Sequence, residues 1–356
     1  MKINVPSRLH MTLIDLNGSY GRFDGGIGLT LANPKIVLKG ELSETGISLD
    51  FSSRIDDNIK DEAYLKLLKA VDDLMKHFSV ESGFHFTLEE AYPTHSGLGS
   101  GTQFALATGR IVCELLKDDL NIEYNDFNQN NEYNNKNNSI NANNAKSSIN
   151  SYSLGKILKR GGTSGIGTFS FDYGGFILDG GHSLNDKEKF LPSSASSAKP
   201  PVLIGNYDFP QEWDIIVAIP NGDDTVSGKK EVDLFQKYCP VPKDEVEKLS
   251  HLILMNLIPF TLEKDIESFG QVINQIQDLG FKRIEISLQP DNVKKTMEAM
   301  REFGAYGVGM SSFGPAIYGI TYKNTKEVYN ATKEYLHEDS TVLITKAQNY
   351  GHVLEK

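Results

Sequence analysis

The chain has 356 residues, enough to bury the cores of two domains, and its 39% hydrophobic and 10% aromatic content is that of an ordinary globular protein. Its 36 basic and 47 acidic residues leave a net charge of −11, which argues against nucleic acid or anionic membranes as main partners, since both call for basic surface. No run approaches the ~18 apolar residues of a membrane span. The opening MKINVPSRLH lacks an apolar signal core, and Cys113 and Cys239 stand in unrelated contexts that suggest neither a disulfide framework nor a metal knuckle, so a reduced, cytoplasmic protein is expected.

In chain order, residues 84–88 (FHFTL) alternate as a half-buried strand does. A glycine-rich stretch, PTHSGLGSGTQ, leads from there into a helix over 104–117, with Phe104, Ile111, Val112, Leu115 and Leu116 on one face. Residues 121–150 hold 13 asparagines and few core formers, a composition that cannot bury enough apolar surface to offset ordering entropy and reads as a flexible insertion. Ser153 is a candidate cap for a short helix ending near Arg160, and SSASSAKPP (193–201) reads as a second loop. Helices are expected over about 244–258 and 262–279, a strand over 283–288 and a helix over 291–303. A strand–glycine turn–strand unit follows, then a helix over 324–337 and a strand over 341–346. This mixed order predicts an α+β protein with short antiparallel sheets rather than a doubly wound parallel one.

The stretch Gly97-Leu98-Gly99-Ser100-Gly101-Thr102 opening a helix points to phosphate: glycines let the backbone approach an anion, and the free N–H groups of the first helical turn face it. No Gly-Lys-Ser/Thr closes the loop as in the nucleotide triphosphatases, and the spacing differs from the dinucleotide fingerprint. A tight turn without ligand is the bland alternative.

PxxxGLGSGT, from Pro93 to Thr102, resembles the second motif of the GHMP small-molecule kinases (galactokinase, homoserine kinase, mevalonate kinase). VPSRLHMTLIDLNG (5–18) sits where their first motif sits, and VGMSSFGPAIYGI (308–320) resembles their third. The resemblance implies a GHMP-kinase-like two-domain fold: a domain like ribosomal protein S5 domain 2 over 1–190, interrupted by the asparagine-rich insertion, and a ferredoxin-like domain over 191–356, with the site between. Where several of those kinases carry a catalytic aspartate, Thr163-Ser164-Gly165-Ile166-Gly167 has Gly167, which cannot take a proton. PSRLHMTLIDLNGSYGRFDGGIGLTL (6–31), followed by GLGSGTQ, RGGTSGIG and GGFILDGGH, looks narrower still: it is similar to the β-ribofuranosylaminobenzene 5'-phosphate synthase family. That resemblance implies transfer of phosphoribosyl from phosphoribosyl pyrophosphate to 4-aminobenzoate or 4-hydroxybenzoate with release of CO2 and pyrophosphate, in methanopterin biosynthesis, with Mg2+ required and a homodimer as the assembly. An ATP-dependent kinase acting on a small alcohol is the alternative.

On that reading, Gly97, Gly99, Ser100, Gly101, Thr102 and Gln103 cradle one phosphate, and Ser311 and Ser312 offer donors for another. Arg8, Arg22 and Arg160 stand beside the motifs, where a guanidinium can clamp phosphate in bidentate fashion. Asp15, Arg22 and His10 are expected to act in catalysis, with Asp15 and Asp24 as Mg2+ ligands or partners of an oxocarbenium-like ribose. Ser164, Asp179 and His182 are expected at the site's edge. Each has a plainer reading: Asp15 can cap the turn at Asn17-Gly18, Arg22 can form a surface ion pair, His10 can be a packed histidine, Asp179 and His182 can stabilise a turn, and Gln103 can be the first exposed helical residue. A further donor-binding candidate, Asp223-Asp224 with Ser227-Gly228, follows a strand within IIVAIPNGDDTVSG (215–228) but sits one residue short of the type I phosphoribosyltransferase spacing.

Overall fold

The structure is a computed structural model, and it describes residues 1–124, 147–193, 195–220, 228–336 and 339–356. In chain order the elements are β1 (Lys2–Asp15), β2 (Arg22–Ser43), β3 (Ile47–Phe51), α1 (Asp57–Phe78), β4 (Gly83–Glu90), α2 (Ser100–Leu115), β5 (Ile122–Tyr124), β6 (Ser147–Ile149), α3 (Ser151–Ile157) and α4 (Ile166–Asp172). Then come β7 (Phe176–Asp179), β8 (His182–Ser183), β9 (Leu203–Tyr207), β10 (Asp214–Ile219), α5 (Lys229–Tyr238) and α6 (Lys243–Leu252), which runs through a π turn into α7 (Ile258–Glu263). The chain closes with α8 (Ile266–Gln277), α9 (Gly280–Ser287), α10 (Asp291–Glu302), β11 (Gly307–Met310), β12 (Ile317–Thr321), α11 (Thr325–Tyr335), β13 (Thr341–Thr345) and β14 (Val353–Glu355).

Two sheets organise these elements. The larger is built on the long β1–β2 hairpin, with path β14-β1-β2-β4-β3, with β7 and β8 on the first half of β2 and with β9 on the other edge of β7. It draws β9 and β14 from beyond residue 190, so the later part of the chain closes the earlier sheet. The smaller sheet runs β11-β12-β10-β13, all antiparallel. The α+β expectation therefore holds: among the described pairings only β3·β4 and β5·β6 are parallel.

Helix α2 is buried almost all round from Gln103 to Glu114, as befits a helix wedged between the sheet and other helices. That position fixes where its glycine-rich start points. Asn150, not Ser153, caps α3, its side chain accepting the Ser153 N–H at 2.9 Å. Residues 283–288 are the one clear reversal of element type. They lie in α9, whose buried residues Phe281, Lys282 and Glu285 mark one helical face, whereas the run Arg-Ile-Glu-Ile-Ser reads as period two. Five residues are too few to separate the periods. Residues 125–146 of the asparagine-rich insertion, and Asp223, Asp224 and Ser227, lie outside the described residues.

Candidate active site

The glycine loop meets the third motif and β1 at one place. Gly97 and Gly99 have φ of +87° and +82°, backbone that disfavours side chains, and space demands the same residue. A Cβ on Gly97 would stand 2.4 Å from the Ser311 carbonyl oxygen, and one on Gly99 would stand 2.8 Å from Arg8 Nε. Arg8 donates from Nη1 to the Gly97 carbonyl at 2.5 Å. The loop continues into α2, where the Thr102 and Gln103 amides both donate to the Gly99 carbonyl at 3.1 Å and those of Ser100 and Gly101 precede the first helical bond.

Two adjoining clefts open here. The outer one, about 230 Å³, is floored by Gly97, Gly99, Ser100, Gly101 and Thr102 and walled by Lys66, His95 and Arg160. The inner one, about 200 Å³, is lined by His10, Leu13, Ser164, Phe235 and Glu285 among others. Arg8, Thr102, Glu231, Ser312 and Phe313 line both. Arg8 and Arg160 are partly exposed as residues, but the Nε of each is shut off from solvent and has no partner. Burial pushes the Arg8 guanidinium down to about 10 and lowers that of Arg160 as well. Buried N–H groups left unmade are costly, and two of them beside a glycine loop form a ready anion receptor. A larger hollow of about 530 Å³ lies at the sheet's far edge around Met1, Lys2, Lys39 and His85. Its Lys2 and Lys39 are already paired with Glu89 at 3.1 and 2.5 Å, so the chemistry is placed in the two clefts.

His10, on β1, is 8% exposed with Nδ1 buried and unpartnered. Burial, with Arg8 and Lys282 adding positive charge, drives its pKa well below the ordinary value, so the ring is neutral. Its backbone is stitched to the third motif: its N–H donates to Ser311 Oγ at 2.9 Å, and its carbonyl accepts from the Ser312 N–H at 2.8 Å. A Cβ on Gly26 would lie 3.3 Å from both His10 Nε2 and Ser164 Oγ, so those two groups converge on one spot of the inner cleft. Ser164 is aimed by Asp179, fully buried, whose Oδ2 accepts from Ser164 Oγ at 3.0 Å and the Gly165 N–H at 2.9 Å and whose Oδ1 accepts from the Gly181 N–H at 3.0 Å. Burial raises that carboxyl to about 7, with nearby Asp24 adding to the effect.

Other expected residues serve the frame. Asp15 Oδ1 accepts from the Asn17 and Gly18 N–H groups, both at 2.8 Å; it caps the hairpin turn and lines neither cleft. Arg22 is exposed and donates to the carbonyls of Gly180 (2.8 Å) and Gly181 (3.0 Å), bracing that turn away from the clefts. Asp24, at 1% exposure and φ +65°, takes Lys187 Nζ at 2.8 Å and His182 Nδ1 at 2.7 Å on Oδ2. His182 Nε2 donates to the Lys199 carbonyl at 2.9 Å, so both ring nitrogens are occupied. Asp15 and Asp24 thus do not form a magnesium site: one carboxylate holds backbone amides and the other is sealed by a lysine and a histidine, although they are register partners across β1–β2. Among the described residues no group of three His, Cys, Asp or Glu is placed to hold a metal. Gln103 is fully buried rather than exposed and donates to the Gly167 carbonyl at 2.8 Å. Ser311 is buried too, its hydroxyl donating to the Gly97 carbonyl at 2.8 Å, so Ser312 is the serine that faces the clefts.

Sequence reasoning missed Lys187, Lys282 and Glu285. Lys187 also donates to Thr163 Oγ1 and the Leu191 carbonyl. Lys282, 1% exposed, contacts Glu285 Oε2 and donates to the carbonyls of Met310 (3.2 Å) and Ser312 (3.0 Å). Burial raises the Glu285 carboxyl despite that neighbour. The i,i+3 spacing of the pair was the available signal, and the strand reading hid it.

Comparison with known proteins decides the family. The chain is 45% identical over 99% of its length, and 98% of the other, to the beta-ribofuranosylphenol 5'-phosphate synthase of Methanothermobacter thermautotrophicus. It is 41% identical over 99% of both chains to the protein of the same name from Methanocaldococcus jannaschii. The chain belongs to the beta-ribofuranosylphenol 5'-phosphate synthase family. Within it, the GHMP kinases N terminal domain matches residues 65–140 and the GHMP kinases C terminal domain matches residues 257–338. L. major mevalonate kinase in complex with R-mevalonate superposes with a TM-score of 0.68 at 15% identity, covering 99% of this chain and 97% of that one. Homoserine kinase from Cytophaga hutchinsonii gives 0.63 at 16% identity, covering 99% and 96%. At such identities the likeness is one of fold. As an enzyme of the synthase family the chain has Gly167 at the inner cleft, where a Cβ would already crowd Thr102 Cγ2 at 3.1 Å, so the position expected to carry a kinase aspartate has no carboxylate. Among the described residues no helix is long and apolar enough to cross a membrane.

Proposed function

We propose that this enzyme joins phosphoribosyl pyrophosphate to 4-hydroxybenzoate, giving a β-ribofuranosylphenol 5'-phosphate, CO2 and pyrophosphate. The relatives' names favour the phenol over the aminobenzene product that the sequence motifs suggest. The C1–oxygen bond to pyrophosphate breaks, a bond forms between C1 and the ring carbon bearing the carboxylate, and that carbon then loses CO2 with its electron pair returning to the ring. One observation carries the reading: two arginines with sealed, unpartnered Nε groups stand at a glycine loop that adjoins a mixed cleft with Leu13, Phe235 and Phe313 in its walls. The outer cleft suits the donor's phosphates. The inner cleft, with Leu13, Phe235 and Phe313 in its walls, suits an aromatic ring. Neutral His10, in the wall of the same cleft, can donate its ring N–H to the acceptor's hydroxyl oxygen and steady the charge that gathers there as CO2 leaves.

Magnesium belongs to the same proposal as a companion of the donor's pyrophosphate, since the two hairpin aspartates do not fit it; Glu231 is a described carboxylate lining both clefts. The pentosyltransferase class, a role in methanopterin biosynthesis, a cytoplasmic setting and a homodimer complete the proposal.

Incubation of the protein with phosphoribosyl pyrophosphate, Mg2+ and either 4-hydroxybenzoate or 4-aminobenzoate tests it. Release of CO2 and pyrophosphate with the hydroxy acid is the expected result. ATP-dependent phosphorylation of homoserine, mevalonate or a sugar, without that release, would overturn it.

A further inference from the structure

The inner cleft has a polarity that the proposed reaction does not by itself explain. Among the described residues Arg8 is the cation that lines both clefts, with the Glu231 carboxylate at the same junction. Glu285 lines only the inner one, and Lys282 holds one of its oxygens. The three hydrogens of the Lys282 ammonium are matched by Glu285 and by the carbonyls of Met310 and Ser312, so the lysine's role is to fix the carboxylate and the turn beneath it. Among the described residues no donor reaches Glu285 Oε1. Leu13, Phe235 and Phe313 supply apolar wall.

A flat ring in this cleft has two distinct ends to place. Its carboxylate only accepts hydrogen bonds and is negative, whereas its para hydroxyl donates. Carboxylate against Glu285 would put two like charges together out of water, and carboxylate toward Arg8 pairs opposite ones. The second arrangement also brings the carboxyl-bearing carbon to the junction with the donor cleft. Resting on the function proposed above, we infer that Glu285 receives the para hydroxyl of the aromatic acceptor and so orients its reacting carbon toward the donor.

The test is calorimetric binding of benzoate, 4-methoxybenzoate and 4-hydroxybenzoate to the full-length protein and to Glu285→Gln. The native protein should bind 4-hydroxybenzoate roughly 10- to 100-fold more tightly than either analogue, the worth of one hydrogen bond to a charged group. In Glu285→Gln that preference should shrink to a few-fold, with benzoate affinity and the KM for phosphoribosyl pyrophosphate unchanged. A preference that survives intact in the folded variant overturns the inference. Should the variant not fold, the ranking on native protein still decides: equal binding of the three acids, with normal turnover of 4-hydroxybenzoate, overturns this inference alone. Absence of both donor binding and turnover in the native protein overturns the proposed function and this inference with it.

Discussion

Two charged regions drawn from the same N-terminal motif lie on neighbouring strands, and they behave in opposite ways. At the glycine loop, Arg8 and Arg160 keep sealed N–H groups with no acceptor. In the knot behind the hairpin, Asp24, His182 and Lys187 engage one another and nearby carbonyls, leaving the second Asp24 oxygen buried and unpartnered. The first arrangement is unfinished without an anion. The second has its opposite charges already met. A motif supplies charge, but a binding site lies where charge is left unpaired.

Breaking the knot should hurt folding and spare ligand recognition. Lys187→Met leaves the buried Asp24 carboxylate with His182 as its one side-chain partner among the described residues and should cost about 3–5 kcal/mol of stability, read by denaturant unfolding. Asp24→Asn combined with Lys187→Met should recover part of the loss. A single variant with native stability would show the knot to be incidental.

Breaking the unfinished side should do the reverse. Arg8→Gln removes the cation shared by the two clefts and should lower kcat/KM by roughly 10²- to 10³-fold, while Gly97 and Ser311 keep their mutual hydrogen bond. Near-normal kinetics would move the anion site elsewhere.

His10 sharpens the contrast through pH. Its folded pKa lies well below the ordinary value, so below about pH 6.5 the unfolded chain takes up a proton that the folded one refuses. Stability should therefore fall as pH drops through that value, by at most about 1.4 kcal/mol per pH unit. His10→Gln should flatten this part of the slope relative to the native protein. Parallel curves would mean the ring titrates normally.

The smallest effect belongs to Arg22. Because it braces the exposed Gly180–Gly181 turn, Arg22→Gln should leave the KM for phosphoribosyl pyrophosphate within about twofold. A large rise would place its guanidinium back at the donor.

These outcomes also mark what a sequence can disclose. The glycine loop was legible because its cause is local: glycines at positive φ opening a helix within a few residues. Arg8 and Arg160 were legible as charges beside motifs, and the structure keeps both at the clefts. Asp15 and Arg22 were misplaced because their partners settle the matter, and for Arg22 those partners are carbonyls 158 and 159 residues away. Lys282 and Glu285 stayed hidden because five residues of apparent alternation concealed a helix. Gln103 sits at the start of a helix, where exposure is the usual expectation, and burial by α4 reversed it.

The seam that joins the third motif to β1 and to the glycine-rich stretch has a consequence for how ligands are received. Four hydrogen bonds cross it: His10 N–H to Ser311 Oγ, Ser312 N–H to the His10 carbonyl, Ser311 Oγ to the Gly97 carbonyl, and Ala316 N–H to the Ser96 carbonyl. At about 0.5–1.5 kcal/mol each, together on the order of 2–6 kcal/mol, they hold any parted form to a few per cent of molecules or fewer. A substrate arriving at the clefts therefore meets nearly the whole population in its receiving shape, and its affinity is not divided down by a scarce competent fraction.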